Sequence, residues 1–174
     1  MAIPSIHRDP TADRRRGQGL VEFALVLPIF LLLIFGVIDG GRYVYVNSTL
    51  SNAAREGARL GSVEASWRGS TDPSCGAAGG PVCPANNTVL VQHITAAANR
   101  QMAPFGAVDS VYLRCVQASG TPPTGNWTGV SCGSNAAGGY LSIRVTFTWS
   151  AMTPMIGNIM GDITSSASAT VFIN

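Results

Sequence analysis

Charge is scarce in this sequence: Asp, Glu, Lys and Arg together make up 11% of 174 residues, and lysine is absent altogether, so all eleven formal cations are arginines. The net formal charge of +2 is too small to attract a polyanion. No basic stripe with interleaved aromatics occurs after residue 60, which excludes the usual electrostatic footprint of a nucleic-acid binder. Histidine is nearly missing as well, with His7 in the N-terminal leader and His93 alone in the rest of the chain. Asp72, Asp109 and Asp162 are scattered among loop and turn sequences, and no GxSxG, HExxH or phosphate-binding glycine run is present. Catalysis needs a nucleophile or base held by an orienting group, and the sequence offers no such constellation. No CxxC pair occurs, and neither histidine accompanies the cysteines at a zinc spacing, so the sequence calls for no metal or other cofactor.

What the sequence has instead is hydrophobicity concentrated in one place. Leu20 to Ile38, LVEFALVLPIFLLLIFGVI, holds one ionisable residue, Glu22. At about 1.5 Å per helical residue the run reaches roughly 28 Å, close to the thickness of a hydrocarbon core. Arg14, Arg15 and Arg16 stand just before it, whereas Asp39 and Arg42 nearly cancel just after it. This asymmetry predicts a cytoplasmic N-terminus and a translocated C-terminal part. Pro28 inside the run favours a kink that a membrane helix tolerates. A cleaved secretory signal shares the basic and apolar regions, but the small-x-small pattern expected after them is poor.

Residues 1–19 therefore read as an irregular, basic cytoplasmic leader, 20–64 as a transmembrane helix and stem with 20–38 spanning the lipid bilayer, and 65–174 as an extracytoplasmic head. The stem continues because Tyr43, Val46, Leu50, Ala53 or Ala54, Gly57 and Gly61 recur at helical steps. Gly36/Gly40 and Gly57/Gly61 are small-x3-small pairs. They permit either bundling with other stems or, for the second pair, docking of the head on its own stem. Glu56 can meet Arg59 one turn later.

In the head, Asn87 or Thr88 can cap a helix from Val89 to about Met102, with His93 at its boundary. Val111, Leu113 and Cys115 alternate with Tyr112 and Arg114; within Tyr140 to Trp149, Leu141, Ile143, Val145, Phe147 and Trp149 alternate with Ser142, Arg144, Thr146 and Thr148; and within Thr164 to Ile173, Ala167, Ala169, Val171 and Ile173 alternate with Ser166, Ser168 and Thr170. The segments 66–87 and 117–139 read as loops; Trp127 in the second is either a plug beneath its loop or a contact surface. The expected fold class is α+β: a long pilin-like N-terminal helix followed by a small domain with an approximately three-stranded antiparallel sheet. Four cysteines, Cys75, Cys83, Cys115 and Cys132, all lie beyond the apolar run, which fits an oxidising compartment. Nearest-neighbour pairing joins Cys75 to Cys83 and Cys115 to Cys132, but four cysteines permit three connectivities.

Glu22 is the most informative residue of the run, because a carboxylate in a spanning segment is costly and marks a function or a partner. Gly17 lies five residues before it. Scission of the Gly17–Gln18 bond would remove the arginine block and make Glu22 the fifth residue. The new α-amine, with an ordinary pKa of about 7.7, could then pair with Glu22 of a neighbouring subunit.

The segment from Arg14 to Val63 resembles the N-terminal region of TadE-like proteins, minor pilins or pseudopilins of bacterial tight-adherence (Flp-type) pilus systems. The resemblance is carried by Gly17, by Gly19-Leu20-Val21-Glu22-Phe23-Ala24-Leu25, Pro28, Asp39 with Gly41-Arg42, and Asn52-Ala53-Ala54-Arg55-Glu56-Gly57-Ala58-Arg59. It implies a substrate of a prepilin peptidase anchored in the bacterial cytoplasmic membrane. Its implied partners are other pilin-like subunits and the pilus assembly platform. The alternative is a membrane-anchored extracellular binding module that enters no pilus.

Overall fold

The computed structural model describes residues 10–70, 72–75, 77–78, 80–133 and 138–173, with side chains from Gly17 onward. Residues 1–9 of the leader and the side chains of Arg14 to Arg16 lie outside the described residues. The chain divides into two compact units, Met1–Gly41 and Arg42–Asn174, and helix α1, Pro10–Ser66, belongs to both.

In the first unit the helix starts earlier than its sequence suggests. Residues 10–19 are helical where an irregular leader was expected; proline suits the first turn of a helix, and alanine and arginine propagate one readily. The helix also runs through Pro28. Over the most apolar eighteen-residue window no residue is buried. Leu20 is 71% exposed, Phe23 64% and Val37 69%. Among the described residues nothing covers an apolar surface of this length, and a bilayer is the solvent that removes it from water. The helix is long and apolar enough to serve as a membrane anchor.

The second unit is an α+β head built on the end of α1. Val46, Leu50, Ala53, Ala54, Ala58 and Ala65 are buried, and their three- and four-residue steps place them on one stripe. Helix α2, Asn87–Met102, contributes Leu90, Ile94, Ala98 and Met102 to the same core. Asn86, one residue before the expected caps, closes its N-terminus: Asn86 Oδ1 accepts from the Val89 amide at 3.0 Å. Asn87 is used otherwise, with Nδ2 donating to the Cys132 carbonyl at 3.3 Å. Asn86→Ala is expected to cost about 1 kcal/mol, read as a lowered urea midpoint of the full chain in detergent with an unchanged denaturant slope.

Four strands form one sheet in the order β2-β1-β3-β4. Strand β1, Ser110–Gln117, and strand β4, Ile163–Phe172, both pair antiparallel with the central β3, Gly139–Trp149. Register follows from alternation: Leu113 opposes Ile143, and Ile143 opposes Ala169, so the odd-numbered residues of all three strands share the face turned to the helices. A one-residue slip would expose Leu141, Ile143 and Val145, all now fully buried.

The fourth strand, β2, is Val130–Ser131, parallel to β1 with Leu113 opposite Val130. It lies in a segment whose sequence reads as loop, because two residues are too few to show a period. The Leu113 amide donates to the Gly129 carbonyl at 3.1 Å, and Gly129 has φ 96°, a conformation that glycine adopts without a Cβ penalty. Helix α3, Pro154–Met160, joins β3 to β4 and buries none of its residues.

Candidate functional site

Gly17 and Glu22 stand on the first exposed turns of the described anchor. A Cβ on Gly17 would meet nothing within 4 Å, so packing does not demand glycine there. Glu22 is exposed, and its Oε1 accepts from Gln18 Nε2 at 3.3 Å, the i,i+4 reach expected on one helix face. The structure thus links the residue after the candidate scission point to the carboxylate of the run. Asp39, at the far end of the run, is buried.

The second half of the sequence signature has a packing role. In the block from Asn52 to Arg59, Ala53, Ala54 and Ala58 are fully buried, while Arg55 and Arg59 face solvent. Arg59 donates to Glu56 through Nη2 at 2.7 Å and Nε at 3.0 Å. That hydrogen bonding, aided by the charges of Arg59 and Arg100, holds the Glu56 carboxyl below its ordinary value against the opposing effect of desolvation. The pair sits in water and contributes little to stability.

The two glycines of the stem decide between the readings left open above. A Cβ on Gly57 would lie 3.0 Å from Ile94 Cγ2. On Gly61 it would lie 2.7 Å from Leu141 Cδ2, 3.0 Å from Ile94 Cδ1 and 3.2 Å from Ile143 Cδ1. These glycines let α1 approach α2 and β3, so they dock the head on its own stem.

One buried polar contact was not foreseen. Glu64 is only 6% exposed and lies near the end of α1; its Oε2 is 2.7 Å from His93 Nδ1 on α2. The contact ties two helices. Among the described residues no group of three His, Cys, Asp or Glu side chains could hold a metal ion.

The cysteines pair as Cys75–Cys83 and Cys115–Cys132. The second bond closes the loop that carries Trp127 over the outer face of the sheet. Arg144 Nη1 donates to the Trp127 carbonyl at 2.8 Å, and the Arg114 guanidinium lies 5.7 Å from the centroid of the Trp127 ring. Trp127 is buried, which makes it the plug of its loop rather than a free contact surface.

The sequence model of a family described as TadE-like protein matches residues 17–59. The match covers about a quarter of the chain. It begins at Gly17, takes in Glu22 and the exposed apolar helix, and ends at Arg59, just past the buried Ala58 of the docking stripe. No curated protein and no solved structure matches the chain. The TadE-like similarity therefore lies in the anchor and the start of the stem, and the head is read from its own geometry.

Proposed function

We propose that this protein is a minor pilin or pseudopilin of the TadE-like kind, a structural subunit for assembly of a tight-adherence (Flp-type) pilus or a related secretion apparatus. The observation that carries the reading is a lone carboxylate, Glu22, five residues after Gly17 on an uncovered apolar helix, within the TadE-like match. The N-terminus is cytoplasmic and the head extracytoplasmic, supported by the arginine block before the run and by two disulfides after it. A prepilin peptidase cuts after Gly17. Gln18 then carries the new α-amine, and Glu22 of a neighbouring subunit receives it, exchanging its bond with Gln18 for an ionic one that sets the register of packing. Other pilin-like subunits and the assembly platform are the partners.

Intact-mass analysis of protein from its native membrane tests the first step: the mature chain is expected to begin at Gln18, and one that retains residues upstream of Arg14 would refute processing. Glu22→Ala is expected to leave that mass unchanged and to lower co-purification with other pilin-like subunits about tenfold, equivalent to about 1.4 kcal/mol of association.

One observation favours the anchored binding module as a second reading. Gly57 and Gly61 are taken up within the head's own core, which leaves those positions unavailable for bundling. Exchanging Leu20 to Ile38 for an unrelated spanning helix separates the two: the subunit reading expects loss of assembly with export intact, and the module reading expects full function.

A further inference from the structure

Helix α3, between β3 and β4, carries an apolar surface that no described residue of the head covers. Met155 is 60% exposed, Ile159 81% and Met160 58%. No charged side chain occurs from Ser150 to Gly161. Scattered single exposed apolar residues are ordinary, but three within six residues of an uncharged segment form a patch that calls for a partner.

The position of this patch identifies the partner. Segment 150–162 leaves the sheet at the Trp149–Ile163 pair. At that end the Trp149 ring packs edge-on against Tyr43 of α1, with centroids 5.4 Å apart, and Ser165 Oγ donates to Tyr43 Oη at 3.4 Å. Tyr43 is five residues beyond Ile38, where the apolar run ends. A five-residue chain, even fully extended, reaches no more than about 18 Å. The residue against which this end of the sheet packs is therefore tethered within about 18 Å of the end of the apolar run. Tyr45, two residues after Tyr43, packs edge-on against Phe105, centroids 5.3 Å apart, and Arg42 precedes Tyr43. Aromatic rings and an arginine at the end of a spanning run are what the interfacial layer favours.

We propose that α3 lies in the interfacial layer of the bilayer on the head's side, with Met155, Ile159 and Met160 inserted among the lipids as a second membrane contact of the head. The ligand is a lipid surface, and methionine's flexible, polarizable chain suits an irregular acyl boundary. This inference rests on the anchored reading of Leu20 to Ile38. Its consequence for function is a second attachment of the head to the lipid.

The test uses the full chain in vesicles of phosphatidylethanolamine and phosphatidylglycerol. All four native cysteines are bonded, so one added cysteine can be labelled with nitrobenzoxadiazole. Three separate variants carry the probe: Ile159→Cys on α3, Val37→Cys in the apolar run, and Ala118→Cys, an exposed position just past the opposite end of β1. A nitroxide lipid labelled just below its headgroup is expected to quench the probe at 159, with emission shifted to the blue relative to the probe at 118, which stays unquenched. Quenching at 37 without quenching at 159 overturns the proposal while the anchor stands. A blue shift at 159 without lipid quenching also overturns it, in favour of a second copy covering the patch. Absence of quenching at 37 removes the anchor, and the proposal with it.

Discussion

Gly61→Leu is expected to destabilise the head by at least about 3 kcal/mol, the upper end of the usual cost of overpacking a core. The first atom of the new side chain already meets Leu141 Cδ2 at 2.7 Å, Ile94 Cδ1 at 3.0 Å and Ile143 Cδ1 at 3.2 Å. These belong to three side chains that are themselves fully buried, so none can yield without displacing another; close packing transmits the intrusion to α2 and β3 together. Gly61→Ala separates the causes. Its Cβ makes the same contacts, but alanine returns about 1 kcal/mol of helix propensity, so its net loss is expected to stay below about 2 kcal/mol. Gly57→Ala, with a single close contact at 3.0 Å, is expected to be near neutral. The measurement is the urea midpoint of each full-length variant in detergent, followed by near-ultraviolet circular dichroism. A Gly61→Leu chain as stable as the parent would mean that α1 does not approach the sheet at Gly61. A bundling role for the glycine predicts a different result: unchanged stability of the isolated chain with reduced association.

That contrast marks where sequence reading ends. A small-x3-small pair states that two backbones approach closely, but not which two, because glycine presents the same absence of a side chain to its own head as to a neighbour. The long strands were legible for the opposite reason. Leu141, Ile143, Val145, Phe147 and Trp149 repeat at the period of a pleat, and ten residues of alternation distinguish strand from helix. Two residues cannot, so Val130–Ser131 was hidden in a loop. Glu64 and His93 meet across 29 residues of sequence, from helices whose relative rotation is set by packing and has no local signature. Trp127 was equally ambiguous, since its burial depends on Arg114 and Arg144 on two different strands. The anchor was legible because its determinant is composition and length, and the spacing of Gly17 and Glu22 is visible without coordinates. The structure adds to that spacing one bond, from Gln18 to Glu22.

The double variant Cys115→Ser/Cys132→Ser is expected to lose about 3 kcal/mol, the chain-entropy effect of opening a loop of this size. The separation of 17 residues between the bonded cysteines makes this the larger of the two rings; the eight-residue separation of Cys75 and Cys83 gives about 2.5 kcal/mol in the same treatment. The effect should extend past the loop itself. The bridge fixes the chain where it returns from Trp127 to lie as β2 beside β1, and the Cys132 carbonyl accepts from Asn87 at the start of α2. Opening the ring therefore loosens three contacts at once: the Arg144 bond to the Trp127 carbonyl, the Leu113 bond to the Gly129 carbonyl, and the tie to α2. Hydrogen exchange is expected to rise more at the Leu113 amide in the double variant than across the β3–β4 pairing, whose backbone partners lie outside the bridge loop and which loses only the global share of the stability. Equal loss of protection at Leu113 and across β4 would show instead that the bridge acts on the unfolded chain alone, lowering global stability without holding β2 in place.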